Sequence, residues 1–187
     1  MKLESIPLQV MPAQPTIAAD RFTLRPLRKS DAGLVELYMA DLRVARGTRS
    51  VPHPLPPGMV PALIDRAMAA DRTEDIWALD GTTQGLGEVL GLVTLARLDR
   101  KQSEISYWVA PAFWNTGLAS EAVRTIIAAN PHGAAQIFAE VFQDNAGSAR
   151  VLTNCGFDYL GDAEAFSVAR NSTVPTWTYT LRMLSCG

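Results

Sequence analysis

The stretch Ser106–Ile127 constrains the fold of this chain more than any other. It begins with alternating apolar residues, turns at Pro111, and passes through Trp114–Ser120 into a helical pattern. A strand, a glycine-containing turn and a helix start place several free backbone N–H groups around one point, where the helix dipole adds partial positive charge. Such a corner can bind phosphate without a lysine, and Gly117 and Ala119 leave room for the anion. The same residues are also compatible with a tight turn that binds nothing.

Length and composition predict one domain. The chain has 187 residues, of which 48% are hydrophobic, so it can bury a substantial core. A formal net charge of −2 gives no overall field to attract nucleic acid or anionic lipid. Residues 1–20 are expected to form an irregular arm and not a signal peptide, because Glu4 and prolines interrupt the apolar residues. Cys155 and Cys186 lack a metal-ligand spacing, so we expect no metal; they are expected to be reduced thiols of a cytoplasmic protein, with a disulfide between them as the open alternative. No apolar run is long enough to span a membrane, so no membrane partner is expected.

Hydrophobic periodicity predicts strands and helices throughout residues 21–184. Helices are predicted where apolar residues recur at helical spacing, over 30–47, 61–70, 118–129 and 145–155. Strands are predicted where apolar and β-branched residues alternate or cluster, over 21–27, 75–80, 89–98, 104–109, 136–142, 157–160, 166–169 and 176–183. This mixture indicates a single α+β or mixed α/β domain.

Four segments have a joint order and spacing that is more specific than any one of them. They are Arg21–Leu27 with Ser30–Ala32, Ile105–Val109, Trp114–Ala122, and Asn145–Leu152 with Gly156–Phe157. Together they resemble the GNAT acyltransferase superfamily, most closely the branch of the ribosomal-protein N-terminal acetyltransferases. The resemblance covers about residues 20–184. It implies a mostly antiparallel mixed sheet flanked by helices, with acetyl-CoA as cosubstrate.

The same resemblance implies where coenzyme A binds. The corner Trp114–Ser120 would hold the diphosphate through backbone N–H groups, and N–H groups beside Trp108 and Val109 would polarise the thioester carbonyl. Asn145, which is also a natural helix N-cap, would lie near the pantetheine arm. The implied cofactor-binding residues are Trp108, Val109, Trp114, Asn115, Thr116, Gly117, Leu118, Ala119, Ser120, Asn145 and Ser148.

Two residues are the candidates for acid–base chemistry. Glu104, at the start of a predicted strand, could take a proton from the amine, directly or through water; the alternative is a surface carboxylate. Ser148 resembles a hydroxyl that donates to the leaving thiolate, although a solvent-facing helix serine fits the pattern too. Leu152 stands where many superfamily members carry a tyrosine acid, and Trp114 replaces the usual Gln or Arg. Weaker candidates for the base are Glu140, Asp162 and Glu164.

The resemblance therefore implies an N-acetyltransferase in which an amine attacks the thioester directly. The acceptor could be a protein N-terminus or a small-molecule amine. Two alternatives stay open: transfer of another acyl group, such as succinyl, and a coenzyme A-binding sensor or scaffold without turnover. A homodimer is one of the assemblies that the sequence leaves open.

Overall fold

The structure, a computed structural model, describes residues 12–184. Eight strands form one sheet: β1 (Ile17–Ala18), β2 (Thr23–Pro26), β3 (Glu74–Asp80), β4 (Gly91–Arg97), β5 (Gln102–Val109), β6 (Gln136–Phe142), β7 (Asp158–Ser167) and β8 (Ser172–Arg182). The helices are α1 (Ala32–Met39), α2 (Leu42–Gly47), α3 (Met59–Met68), α4 (Leu118–Ala129) and α5 (Ala146–Asn154). Within residues 12–184, no helix combines the length and the hydropathy needed to cross a membrane.

The strands lie in the order β1-β2-β3-β4-β5-β6-β8-β7. Every neighbouring pair is antiparallel except β5 and β6, which are parallel. The long connection between these two strands contains α4, as a parallel crossover requires. The predicted fold class, a mostly antiparallel mixed sheet with flanking helices, is therefore confirmed.

Helices cover both faces of the sheet because each helix has an apolar stripe that must be buried. One core joins the sheet to α4 and α5, with Leu118, Ile126 and Leu152 buried in it. The other core joins the opposite face to α1, α2 and α3, and it contains Val35 and Ile64. The sheet thus separates two helical layers, and α4 and α5 lie on the side opposite α2.

The parallel strands β5 and β6 separate along their length. They pair only where Gln102–Glu104 faces Gln136–Phe138. Beyond that point β5 stays paired with β4 as far as Val109, while β6 stays paired with β8 as far as Phe142. The carboxyl ends of β5 and β6 therefore enclose a wedge-shaped opening in the middle of the sheet.

Several predicted boundaries change. The single helix predicted over 30–47 is two helices, because Asp41 caps α2 by accepting from the N–H of Arg43. The strands predicted at 157–160 and 166–169 fall largely within one strand, β7, which ends at Ser167 and pairs with β8 on both sides of a register shift between Tyr159 and Gly161. The arm predicted to be irregular over 1–20 contains β1, which pairs with β2; residues 1–11 of that arm lie outside the described residues.

Candidate active site

A cleft opens where β5 and β6 separate, with a cavity of about 810 Å³. Its first wall, called here the α4–α5 wall, consists of residues 113–120 and the lining residues of α5. Its second wall, the α2 wall, consists of residues 43–48 together with Arg170. Ten of the eleven residues implied to bind coenzyme A line this cavity: Trp108, Val109, Trp114, Asn115, Gly117, Leu118, Ala119, Ser120, Asn145 and Ser148.

The corner before α4 leaves backbone N–H groups open toward the cleft. Gly117 is the N-cap residue of α4 with φ of 82°, a left-handed conformation that glycine adopts without strain. Within the described residues no side chain caps this helix. The first N–H groups of α4, beginning at Leu118, therefore lack helical partners and concentrate the positive end of the helix dipole. This arrangement can hold a phosphate group.

Arg21 fixes this corner from another part of the chain. Its Nε donates to Oε2 of Glu121 over 2.6 Å, and its backbone N–H donates to Oε1 over 2.8 Å. Its Nη1 donates to the carbonyl oxygen of Thr116 over 2.7 Å. Arg21 also neutralises the Glu121 carboxylate, which would otherwise repel an anion at the start of α4. Sequence reasoning missed this pair, because nothing local connects residues so far apart.

Thr116 is the one implied cofactor residue that does not line the cavity. Its hydroxyl donates to the carbonyl oxygen of Phe113 over 2.5 Å, and its own carbonyl accepts from Arg21. The first contact lies within the turn and the second ties the turn to Arg21, so Thr116 shapes the corner from behind.

At the end of β5, the two amides implied to polarise a carbonyl face different ways. The N–H of Ala110 donates to the carbonyl of Leu90, the residue directly before β4. Because amides alternate along an antiparallel pair, the N–H of Trp108 also faces β4, whereas that of Val109 faces the opening. The carbonyl of Val109 accepts from Nε1 of Trp114 over 2.7 Å. Trp108 lines the cavity, and only the Val109 amide is directed into it.

Asn145 and Ser148 lie in the first turn of α5. The Asn145 side chain accepts from the N–H of Ser148 over 3.2 Å, so Asn145 is the N-cap that its sequence position indicated. The hydroxyl of Tyr107 donates to the carbonyl oxygen of Ser148 over 3.0 Å. Burial raises the pKa of Tyr107, so this phenol stays protonated and holds α5 to β5. Ser148 is half-buried and lines the cavity, while Leu152 is fully buried in the core.

Glu104 lies at the point where β5 and β6 separate and does not line the cavity. Oε1 of Glu104 accepts from Nη2 of Arg49 over 2.6 Å, and the same guanidinium binds Oε2 of Glu140 over 2.6 Å. Thr176 donates its hydroxyl to the other oxygen of Glu140. Both carboxylates are therefore occupied by a shared arginine. Asp162 and Glu164 are exposed on β7 and do not line the cavity either.

The α2 wall is rich in arginine. Nη1 and Nη2 of Arg170 bind the two carboxylate oxygens of Asp144 over 2.6 and 3.0 Å, and Nη2 also donates to the carbonyl of Arg46 over 2.8 Å. The hydrogen bond from Arg170 and, more weakly, the charge of Arg46 hold the pKa of Asp144 below its ordinary value. The guanidinium of Arg43 lies 5.6 Å from the centre of the Trp114 ring. Sequence reasoning identified none of these arginines.

A second polar cluster lies away from the cleft. His132 contacts the Ser103 hydroxyl through Nδ1 over 3.0 Å and the Asp75 carboxylate through Nε2 over 2.9 Å. These residue types can form a hydrolytic triad, but Ser103 and Asp75 are 1% and 2% exposed, and none of the three lines the cavity. They form a buried structural network. Within residues 12–184, no group of three or more His, Cys, Asp or Glu side chains could hold a metal ion.

Comparison with known proteins gives a consistent result. The family model described as an acetyltransferase (GNAT) domain matches residues 21–158. The chain is 25% identical over 175 residues to YoaA, an uncharacterized N-acetyltransferase of Bacillus subtilis, covering 89% of this chain and 96% of that protein.

Two solved structures share the fold. The ribosomal-protein-S5-alanine acetyltransferase of Vibrio fischeri superposes with a TM-score of 0.76 at 16% identity, covering 93% of this chain and 100% of that one. The spermidine N-acetyltransferase of Vibrio cholerae, solved with coenzyme A and spermine, gives a TM-score of 0.73 at 16% identity, covering 87% and 96%.

Proposed function

Because the chain belongs to the GNAT acetyltransferase family, we propose that it is a cytoplasmic enzyme that transfers the acetyl group of acetyl-CoA to a primary amine. The observation that carries this proposal is the open N-terminus of α4 at the separation of β5 and β6. It combines an anion-binding corner with an unpaired strand edge in one cavity. The spermidine N-acetyltransferase with this fold was solved with coenzyme A, which supports the choice of cosubstrate.

In this proposal the α4–α5 wall binds acetyl-CoA. The N–H groups at the start of α4 hold the diphosphate, and the missing side chain of Gly117 lets the phosphate approach the backbone. The pantetheine arm follows the opening between β5 and β6 past Asn145. Its thioester carbonyl then accepts a hydrogen bond from the N–H of Val109, which stabilises the negative charge that develops during attack.

The chemical step is a direct attack on the thioester. The amine nitrogen bonds to the carbonyl carbon, the carbon–sulfur bond breaks, and coenzyme A leaves as a thiolate. We assign the Ser148 hydroxyl to donate a hydrogen bond, or the proton itself, to that thiolate. This assignment is supported by the position of Ser148, which lines the cavity from the first turn of α5. Tyr107 holds this turn in place through the Ser148 carbonyl.

We assign Glu104 to remove the proton from the attacking amine through a water molecule. Its position at the start of the opening between the strands supports this role. Arg49 pairs with Oε1 of Glu104, so in this proposal the water molecule transfers the proton to the other carboxylate oxygen, Oε2. Glu140 shares the same arginine and is the alternative base.

The test is a product assay on the purified protein. Acetyl-CoA is supplied with a panel of amines that includes peptides with free N-termini, amino acids and polyamines, and both free coenzyme A and the acetylated amine are measured. We expect amine-dependent release of coenzyme A with matching acetylated product. Succinyl-CoA in parallel tests the choice of acyl group. Binding of acetyl-CoA without turnover of any amine would contradict the enzymatic function and leave a coenzyme A-binding protein.

A further inference from the structure

Arginine side chains dominate the charge of the cleft. Among the described residues, its charged lining consists of Arg43, Arg46, Arg150, Arg170 and Asp144. The cleft thus has four positive charges against one negative charge, although the chain as a whole carries −2. Some of these positive charges suit the phosphates of coenzyme A. The positions of the four arginines show which of them remain available for another ligand.

The four arginines belong to different walls. Arg150 lies on α5, beside the lining residues Gly147 and Asn154, and so belongs to the α4–α5 wall, where the cofactor is proposed to bind. Arg43 is paired with Asp41 at 2.7 Å and lies against the Trp114 ring. Only Arg46 and Arg170 lie on the α2 wall at the end near Asp144.

Arg170 and Asp144 neutralise one another. Their two hydrogen bonds of 2.6 and 3.0 Å form a bidentate pair, and the Arg170 guanidinium lies 4.8 Å from the centre of the Phe142 ring. Arg170 also holds the end of α2 through the carbonyl of Arg46. The side chain of Arg46 is exposed, and within residues 12–184 it has no hydrogen bond or ion pair. Among the described residues, Arg46 is therefore the one arginine on this wall without a direct side-chain partner, and its charge acts on Asp144 without a hydrogen bond.

Resting on the acetyltransferase function proposed above, we propose that Arg46 binds a carboxylate or phosphate group of the acceptor. The enzyme then prefers primary amines that carry such a group, because Arg46 lines the same cavity as Val109 and Ser148. The same geometry disfavours polyamines, since the one carboxylate among the described lining residues, Asp144, is already taken by Arg170. A second ammonium group would meet only positive charge on this wall.

The experiment compares acceptors that differ in one charge. The pairs are an amino acid with its amide, and O-phosphoethanolamine with ethanolamine, with spermidine as the polycation; kcat/KM is measured for each. We expect the anionic member of at least one pair to be preferred by about tenfold to a hundredfold, the range of a hydrogen bond to a charged group. The pair that shows the preference identifies carboxylate or phosphate as the recognised group.

Three variants locate the preference. Arg46→Met should reduce it about tenfold with the affinity for coenzyme A unchanged within twofold, and Arg46→Lys should restore part of it. Arg150→Met is the matched control on the other wall: it should weaken coenzyme A binding and leave the acceptor ratio as in the wild type. Calorimetric titration of the coenzyme A complex with the N-acetylated anionic product gives a second reading, in which binding is lost in Arg46→Met.

The outcomes distinguish a failure of the role proposed for Arg46 from a failure of the proposed acetyltransferase function. Acetylation of neutral, anionic and polycationic amines at equal rates overturns the role of Arg46 and leaves the acetyltransferase intact. The role of Arg46 is also overturned if Arg46→Met weakens coenzyme A binding without changing the acceptor ratio. If no amine is acetylated and no acetylated product binds, both proposals fail.

Discussion

The α4–α5 wall presents backbone N–H groups and one arginine, Arg150, to the cleft, whereas the α2 wall presents three arginines, Arg43, Arg46 and Arg170. At the first wall, the N–H groups at the start of α4 and the N-cap of α5 belong to regular elements packed into the core. At the second, Arg170 reaches across from the turn before β8 to hold the carbonyl of Arg46. A backbone site has a fixed shape and suits a cosubstrate that never changes. A side-chain site is changed by single substitutions and suits the part of the enzyme that sets acceptor choice.

The largest expected effect comes from obstructing the N–H groups at the start of α4. Gly117→Val places a branched side chain where the diphosphate is proposed to approach, and we expect acetyl-CoA affinity to fall about 100-fold or more, the loss of two hydrogen bonds to a charged group. Calorimetry measures the affinity. Gly58→Val is the matched control, since Gly58 also begins a helix in the left-handed conformation, with φ of 80°, but does not line the cavity.

Both glycine variants should lose similar stability, because valine is strained at positive φ. Only Gly117→Val should lose affinity. Equal affinities in the two variants would show that the corner does not hold the diphosphate.

The start of α4, on the α4–α5 wall, is also the part of the cleft that the sequence predicted best. Strand, turn and helix start are consecutive there, so local pattern alone placed α4 at 118–129 and β6 at 136–142, as the structure has them. The α2 wall could not be predicted in this way. Its contacts join residues 124 positions apart, between Arg170 and Arg46, and depend on how β8 and α2 meet in space. The break between α1 and α2 was hidden because apolar residues continue at helical spacing through it.

For the candidate acid–base residues, the sequence predicted local features and missed long-range contacts. Asn145 was predicted as an N-cap from a local signal, and the structure confirms that cap, whereas Ser148 was named from the family resemblance and its catalytic role stays a prediction. Glu104 was singled out by its place at the start of β5, but its ion pair with Arg49 comes from a loop 55 residues away. Sequence reasoning therefore gave the side chain and missed the contact that restrains it.

A smaller effect is expected at Ser148, which lies on the α4–α5 wall and is proposed to act through its side-chain hydroxyl. Ser148→Ala should lower kcat by roughly 10-fold to 100-fold, as expected for a lost hydrogen bond to a charged group, with acetyl-CoA affinity unchanged. Stopped-flow or steady-state assays with a saturating amine measure it. Ser148→Thr keeps the hydroxyl and should retain most of the activity. If Ser148→Ala turns over as fast as the wild type, water or the acceptor protonates the thiolate.

The Arg21→Met variant tests how much side-chain contacts support the α4–α5 wall. Arg21→Met removes the tie to Thr116 and leaves the Glu121 carboxylate unpaired beside the anion site. We expect a loss of acetyl-CoA affinity of about twofold to fivefold, roughly what a partly exposed ion pair contributes. The double variant Arg21→Met with Glu121→Gln should recover part of that loss, because the repulsive charge is gone. A double variant no better than Arg21→Met alone would assign the loss to the turn geometry.

The smallest expected effect concerns the pH dependence of the α2 wall. The hydrogen bond from Arg170 holds the pKa of Asp144 below its ordinary value, which is near 3.9 in an unfolded chain. Asp144 therefore contributes stability above about pH 4, and that contribution is lost as the pH falls through the lower folded-state value. Since the Asp144 side chain is 55% exposed, the contribution should be about 1 kcal/mol or less.

Denaturant unfolding of the wild type and Asp144→Asn at pH 6 and pH 3 measures this contribution. The two proteins should differ at pH 6 and converge as the solution becomes more acidic, because the wild-type carboxyl group then becomes neutral, as the amide is. The variant that combines Asp144→Asn with Arg170→Met removes the pair and should show no such convergence when it is compared with Arg170→Met alone. A wild-type advantage that is equal at both pH values would mean that Asp144 stabilises the wall by packing.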